Sequence, residues 1–533
     1  MIEKMTGGAA VVGALLRENV RTAFGIPGVH TLEIYEALCD QQDCLKHIVT
    51  RHEGGGGFMS DGYARASGEP GVNLVITGPG VTNAATAMGQ AFSDSSPILM
   101  ISSQNDSRYV DRDMGELHQM KDQLAHTYGC TAWNRRIDDP RGIPGAIFEA
   151  FDHFRTQRPR PVHLEIPTDV LEREADVEIG DPIPPGLTGP DPADVTRAAR
   201  LLAEARRPLV WLGGGAKDAS ESITALVEFL GAAVITTSAG KGVVSEEHPL
   251  SLGNCVRSEI IKERLGAFDC LLIVGSELGV AETAGGGLDL PDTIIWADLE
   301  PWEKKYEYET TLPIRTDADL FARSLLAEME GTRLPDRTAF HDDLASLRQA
   351  LLNEYTSPVC TEMAGIVGAI RDSLGPEDVL VGDMTTLCYR ASRIYPAYKP
   401  RTYLFPQGFG TLGWSTPAAY GAKLALPGRN VVAISGDGGF LFTGQELATA
   451  VKYEIPVPVV LVNNEHYGVV AKTQERRYGR TLGTDIHNPD FVQFAQAFGA
   501  RGVRATDPEQ LRRALRESFE TAGPTIIDVP VEF

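Results

Sequence analysis

The sequence predicts an α/β chain of three domains, in which two related parallel-sheet domains flank a central α/β domain. Three observations predict it. Short β-rich runs alternate with helical patterns, the signature of strand–helix–strand units stacked into a parallel sheet. Two stretches interrupt that rhythm: GDPIPPGLTGPDPAD at Gly180–Asp194, loaded with proline, glycine and aspartate, and a second near Gly331–Asp336. And TGPGVTNAATAMGQAFSDSSPILMISS in the first third shares its turn, helix, proline, strand order with SGDGGFLFTGQELATAVKYEIPVPVVLVNN in the last.

The first domain is read as residues 1–179, with buried strands at Leu45–Val49, Val72–Ile76 and Pro97–Ile101. The second, residues 194–330, opens with a helix at Val195–Ala205 and a strand at Pro208–Leu212 that runs into Gly213, Gly214 and Gly215; a further strand, Cys270–Val274, precedes Gly275. This plan is Rossmann-like, but the full dinucleotide fingerprint is missing, so the three glycines read either as a tight turn or as room for a phosphate. FAD is admitted there without being favoured. The third domain, residues 355–533, follows a short helical connector ending before Pro358 and has strand candidates at Val379–Val381, Val431–Ile434 and Pro458–Val462. Apolar strands with long helices between them imply a sheet covered on both faces.

On that plan VVAISGDGGFLFTGQELATAVKYEIPVPVVLVNNEHYGV sets Asp437 just beyond one buried strand and Asn463 and Asn464 just beyond the next. The connecting helix is predicted to start in a capping box of Thr443 and Glu446, to bury Leu447 and Val451, and to stop at Pro456. Mg²⁺ takes compact octahedral oxygen coordination. Asp437 offers a carboxylate oxygen, Asn464 an amide oxygen and His466 its main-chain carbonyl, and two diphosphate oxygens with one water would complete the shell. Gly436, Gly438 and Gly439 leave space for phosphate ahead of helix amides. Asp383, Met384, Thr385 and Thr386 read either as further phosphate contacts or as ordinary caps.

RHEGGGGFMSDGYARASG places Glu53 after the strand Leu45–Val49, followed by four glycines that let a flat ring or another backbone come close. Together with TGPGVTNAATAMGQAFSDSSP, GDGGFLFTGQELATA and LVNNEHYG in this order, the segment makes nearly the whole chain resemble the thiamine diphosphate enzymes of the acetolactate synthase and 2-oxo acid decarboxylase superfamily. The resemblance implies thiamine diphosphate held through Mg²⁺, a pyrimidine-binding first domain and a diphosphate-binding last one. It implies that Glu53 bonds to N1′ of the aminopyrimidine and favours the imino tautomer, whose N4′ takes the thiazolium C2 proton. In FPQGFGTLGWSTPAAYGAKLALPG, Leu412 would wedge between the two rings and the Gly410 carbonyl would accept from N4′. Thr416 and Pro417 read there as an N-cap and a first helical residue. The family also implies that Glu53 and Asp437 meet between subunits, so that a homodimer is the smallest active unit and a homotetramer is common.

The reaction this implies is decarboxylation of a small 2-oxo acid, with carboligation as a possible sequel. Candidates above C2 are Pro27, Gly28, Val29 and His30 in GIPGVH, the segment GELHQMKDQ, and the chain from Val469 to Arg477. His118 reads either as an acid–base group or as a surface residue. GELHQMKDQ departs from the Phe-Gln-Glu segment of acetolactate synthases. It resembles the LHE-and-DQ pattern of 5-guanidino-2-oxopentanoate decarboxylases, with Gln119 in the place of the glutamate. Asp106, Asp111, Asp113 and Glu116 either face solvent or answer a guanidinium fork. The alternatives are an acetolactate synthase joining two pyruvates, a flavin-assisted oxidoreductase, and a non-catalytic scaffold that the joint presence of Glu53, Asp437 and Asn464 argues against.

Composition sets the outer limits. A chain of 533 residues with 43% hydrophobic content holds several cores. Acidic residues outnumber Lys and Arg by 72 to 49, a net charge of -23 without a dense basic tract, which repels a nucleic-acid backbone. The seven cysteines are odd in number and lack metal-ligand spacing, so separate reduced thiols are expected. MIEKMTGG opens no long apolar core and no run nears the roughly 20 residues a bilayer needs, so a cytoplasmic protein without a membrane partner is expected.

Overall fold

The computed structural model describes residues 2–283, 285–305, 308–355 and 361–532. Its three large sheets are all parallel. The first has six strands in the spatial order Lys46–Val49, Thr22–Gly25, Gly71–Val75, Ile98–Gln104, Val162–Pro167, Trp133–Arg136. The last has six in the order Tyr403–Leu404, Val379–Gly382, Val431–Gly436, Pro458–Asn463, Thr525–Pro530, Arg501–Arg504. Counted along the chain, both orders are 2-1-3-4-6-5. The likeness read from two short segments therefore extends over two whole sheets.

Between them lies a five-stranded sheet in the order Ala233–Thr236, Pro208–Leu212, Cys270–Val274, Ile294–Asp298, Leu312–Arg315. The three-domain α/β plan of the sequence is the plan of the molecule. Both faces of the central sheet are covered, one by Val210, Leu212 and Leu272 packing on Ile223 and Phe321, the other by Trp211, Ile235 and Trp296 with Phe340 and Leu347.

Several expected boundaries move. The strand expected at Pro97–Ile101 runs Ile98–Gln104, because Ser102, Ser103 and Gln104 are polar yet buried and paired. The Pro-rich linker is shorter than Gly180–Asp194: Asp191 caps a helix at Pro192–Glu204, and Pro192, with its φ preset, sits in the first turn. The connector is not short. Thr338–Tyr355 is an 18-residue helix that buries Phe340, Leu344, Leu347, Leu351 and Tyr355; Pro358 and Cys360 lie outside the described residues. The six described cysteines are free, and among the described residues no helix is long and apolar enough to cross a membrane.

The first and last domains share a core. Helix Glu53–Ser67 crosses helix Ser415–Ala425 with main chain against main chain: a Cβ on Gly62 would lie 1.9 Å from the Ala418 carbonyl, and one on Gly421 1.9 Å from that of Met59. At the same crossing Arg65 pairs with Asp61 at 2.7 Å and Asp94 at 2.9 Å, while Trp414 Nε1 donates to Asp61 at 2.7 Å. Thr416 is not the N-cap expected. The helix starts two residues earlier, at Ser415 behind Trp414, Pro417 falls third in it, and the buried Thr416 hydroxyl has no partner among the described residues.

Candidate active site

In an open parallel sheet, ligands bind beyond the carboxyl ends of the strands where the order reverses. In the last sheet that point lies between Val379–Gly382 and Val431–Gly436. A cavity of about 170 Å³ opens there, lined by Thr385, Leu412, Gly436, Asp437, Gly438, Gly439, Asn464, His466 and Val469 among others. All nine were singled out from the sequence.

Asp437 is 3% exposed and held by four N–H donors: Gly438 at 2.8 Å to one oxygen, and Asn464 at 3.1 Å, Glu465 at 2.7 Å and Asn488 Nδ2 at 2.8 Å to the other. Two consecutive main-chain donors converge on one oxygen because Glu465 takes φ 56°, a left-handed turn that folds the chain back. The oxygen facing Gly438 keeps lone-pair capacity for a cation. His466 spends its ring on the Asn464 carbonyl at 3.1 Å and on Asp485 at 2.8 Å, so its main-chain carbonyl is the atom left for a metal. The set of carboxylate, amide and carbonyl oxygens suits a hard dication. The glycines form a cradle without side chains: a Cβ on Gly438 would meet the Tyr467 ring at 2.6 Å. Residues and shape thus fit a metal-bound diphosphate.

One expectation is corrected here. Thr443 and Glu446 form no capping box, because the helix already begins at Asp437 and a 3₁₀ turn, Gly444–Glu446, follows it. Thr443 donates instead to the Gly413 carbonyl at 2.6 Å, and Glu446 points into the first domain. Asp383 is among the residues that line the cavity. It is fully buried and accepts from Met384 N, Gly413 N and the hydroxyls of Ser415 and Ser435; burial pushes its carboxyl up to about 6. It anchors the turn that carries Leu412. Thr385 caps the helix Thr386–Ile394 while still lining the cavity. Gly410 lies outside the lining, two residues before Leu412, with φ 72°.

Gly28, His30 and His118 lie at the equivalent switch point of the first sheet. His30 and His118 stack with ring centroids 5.3 Å apart, each with a buried Nδ1 that has no partner among the described residues. Burial first, then His118, holds the His30 imidazole below its ordinary value, against a smaller pull from Glu116. A Cβ on Gly28 would collide with Ile76 at 2.4 Å, and one on Gly78 with the His118 carbonyl at 2.3 Å. Gln123 fixes this corner, accepting from Gly78 N at 3.0 Å and the Thr77 hydroxyl at 2.9 Å. Val29 is exposed.

Gln119 accepts from Met114, Gly115 and Glu116 N–H groups and donates to Asp113, so its amide is spent inside its own loop. Asp106 is paired with Arg108 and Asp111 with Arg136, which leaves Glu116 beside His30. Glu53 opens its helix half-buried and accepts from Asn83 at 2.9 Å; it does not line the cavity around Asp437. A second cavity, of about 230 Å³, is lined by Gly213, Gly214 and Gly215. Sequence reasoning missed Tyr467, which lines the cavity, and Asn488, which acts on it only through Asp437; both lie in loops without any period to betray them.

Comparison with known proteins follows the same three divisions. Residues 383–529 match the thiamine pyrophosphate enzyme C-terminal TPP binding domain, residues 5–126 the N-terminal TPP binding domain, and residues 195–325 the central domain. The chain is 38% identical to "Probable 2-ketoarginine decarboxylase AruI" of Pseudomonas aeruginosa, over 98% of this chain and 94% of that protein. It is 33% identical to "Probable acetolactate synthase large subunit" of Methanocaldococcus jannaschii, over 99% and 92%, and 30% identical to "Acetolactate synthase isozyme 2 large subunit" of Escherichia coli, over 99% and 96%.

Proposed function

The chain belongs to the thiamine diphosphate enzymes of the acetolactate synthase and 2-oxo acid decarboxylase superfamily, and from that premise we propose that it decarboxylates, without oxidation, a 2-oxo acid carrying a guanidino group. Thiamine diphosphate and Mg²⁺ are its cofactors. The observation that carries the reading is the cavity in which Asp437, oriented by four N–H donors, stands with Asn464, His466 and Leu412. Bound there, the cofactor supplies a carbon nucleophile for the 2-oxo carbonyl and a sink for the electrons that CO₂ leaves behind.

The chain's own residues do the rest. Asp437, Asn464 and the His466 carbonyl hold the metal, and the open backbone at Gly436, Gly438 and Gly439 receives diphosphate. Leu412 props the rings apart with Gly410 at the pyrimidine edge. Glu53 accepts a single donor, Asn83, among the described residues, which leaves an oxygen for a pyrimidine proton. Since it lies outside its own chain's cavity, it serves the cofactor of a second copy; a homodimer is the smallest complete unit, and a homotetramer pairs two of them. His118, stacked on His30, moves the proton at the substrate carbon, with Gly28, Val29 and Val469 as walls.

Support for the guanidino group is the name of the relative at 38% identity and the Glu116 carboxylate beside His30, which has no ion-pair partner among the described residues. Incubation of the reconstituted enzyme with pyruvate, branched 2-oxo acids and 5-guanidino-2-oxopentanoate, followed by mass analysis, tests it. The guanidino acid should give the aldehyde one carbon shorter. Acetolactate as the main product from pyruvate would overturn the reading in favour of the synthase activity that two relatives are named for. Reconstitution with and without FAD tests the flavin alternative at Gly213–Gly215; unchanged turnover is expected.

A further inference from the structure

We propose that Glu446 is a positioning residue for Glu53, an inference that rests on Glu53 being the group that activates the cofactor. Glu446 belongs to the last domain and is wholly buried. Its carboxylate crosses into the first domain, where it accepts the main-chain N–H of His52 at 2.9 Å and, through both oxygens, that of Arg51 at 3.1 Å. The Thr449 hydroxyl donates to it at 2.8 Å and fixes its rotamer.

Arg51 and His52 are the two residues immediately before Glu53, between the strand Lys46–Val49 and the helix Glu53–Ser67. Pinning their N–H groups pins the torsions that decide where the first side chain of the helix points. Hydrogen bonds buried in a low local dielectric are strengthened, so the constraint is stiff. The sequence makes room for it: a Cβ on Gly55 would lie 2.3 Å from Glu446 Oε1, so the second of the four glycines admits the carboxylate. The same edge is fastened again by Tyr453, whose hydroxyl accepts from Val49 N at 2.9 Å. His52 completes the corner, its Nδ1 accepting from Gly54 N at 3.1 Å. Glu446 lines neither cavity, so it acts through the main chain and takes no part in proton transfer.

The test uses full-length Glu446→Ala and Glu446→Gln with Glu53→Gln alongside. In the protein without cofactor, amide hydrogen exchange at Arg51 and His52 should quicken roughly tenfold or more in Glu446→Ala, the loss of one buried hydrogen bond. Glu446→Gln, which keeps one acceptor oxygen, should restore part of the protection. With thiamine diphosphate and Mg²⁺ added, C2 proton exchange should fall about tenfold or more in Glu446→Ala, while cofactor affinity stays within about threefold because the metal ligands are intact.

Wild-type exchange at both amides and at C2 in Glu446→Ala overturns the inference. Should that variant not fold, Glu446→Gln carries the comparison, and unchanged protection at both amides overturns it equally. Wild-type C2 exchange in Glu53→Gln overturns the underlying reading of Glu53. Loss there without any loss in Glu446→Ala overturns only the role given to Glu446.

Discussion

Asp437 gathers four N–H groups, of which only Asn488 Nδ2 also reaches a second acceptor, Asn463, among the described residues, so deleting its carboxylate removes the proposed metal ligand and unfastens the turn at Asn464–His466 together. Asp437→Ala should lower Mg²⁺-dependent cofactor affinity at least about a hundredfold, measured by calorimetric titration of thiamine diphosphate at fixed metal. Retained affinity with the same metal dependence would remove Asp437 from the site. Glu53→Gln keeps the shape but loses the charge, and C2 proton exchange of bound cofactor should drop about a hundredfold or more. Burial lifts Glu446 to about 7, above its unfolded value, so its contribution to stability is complete in acid and is lost as pH rises through about 7. Between pH 4.5 and 8 the wild type should lose on the order of 3 kcal/mol relative to Glu446→Gln, read from denaturant unfolding. A gap independent of pH would contradict that burial effect. At this scale much was legible: a strand–helix–strand unit has a fixed geometry, so Asp437 and Asn464 could be placed together from spacing alone. Glu446 was not, because Thr-x-x-Glu describes a capping box and an interdomain contact equally well.

Elements were read best where one pattern had one meaning. Pro208–Leu212 and Cys270–Val274 are continuous apolar runs and were bounded to the residue. Ile98–Gln104 was cut short because its last three residues are buried through partners, such as His163 and Gln123, that come from far along the chain. Thr22–Gly25 is a strand of four residues with no alternation to announce it. The crossing of Glu53–Ser67 with Ser415–Ala425 depends on pairs more than 300 residues apart, among them Arg65 with the Phe405 carbonyl. Replacing Asp61 by Ala strips the buried Arg65 of a partner and Trp414 of its acceptor. It should cost roughly 3–5 kcal/mol in denaturant unfolding, and a loss below about 1 kcal/mol would show the network to be solvated.

For the whole molecule, the repeated 2-1-3-4-6-5 order explains why two sets of candidate residues occupy equivalent crevices in different domains. One carries Asp437 and Asn464, the other the histidine pair. Sequence patterns could show that the halves were alike but not which copy supplies which half, since that depends on surfaces between chains. Complementation reads it directly. Inactive Glu53→Gln and Asp437→Ala proteins, unfolded together and refolded as a mixture, should recover roughly a quarter of wild-type activity, because half of the pairs would be mixed and each would own one intact site. No recovery, with mixed pairs demonstrated by mass spectrometry, would place both residues in a single-chain site.

The bare-backbone contact at Gly62 and Gly421 has an evolutionary corollary. With a carbonyl 1.9 Å from where either side chain would begin, even a methyl group must push two domains apart, so drift at these positions has no small first step. Saturation mutagenesis under selection should return glycine alone at both, whereas Gly129, Gly145 and Gly428, which face open space, should accept a broad range of replacements.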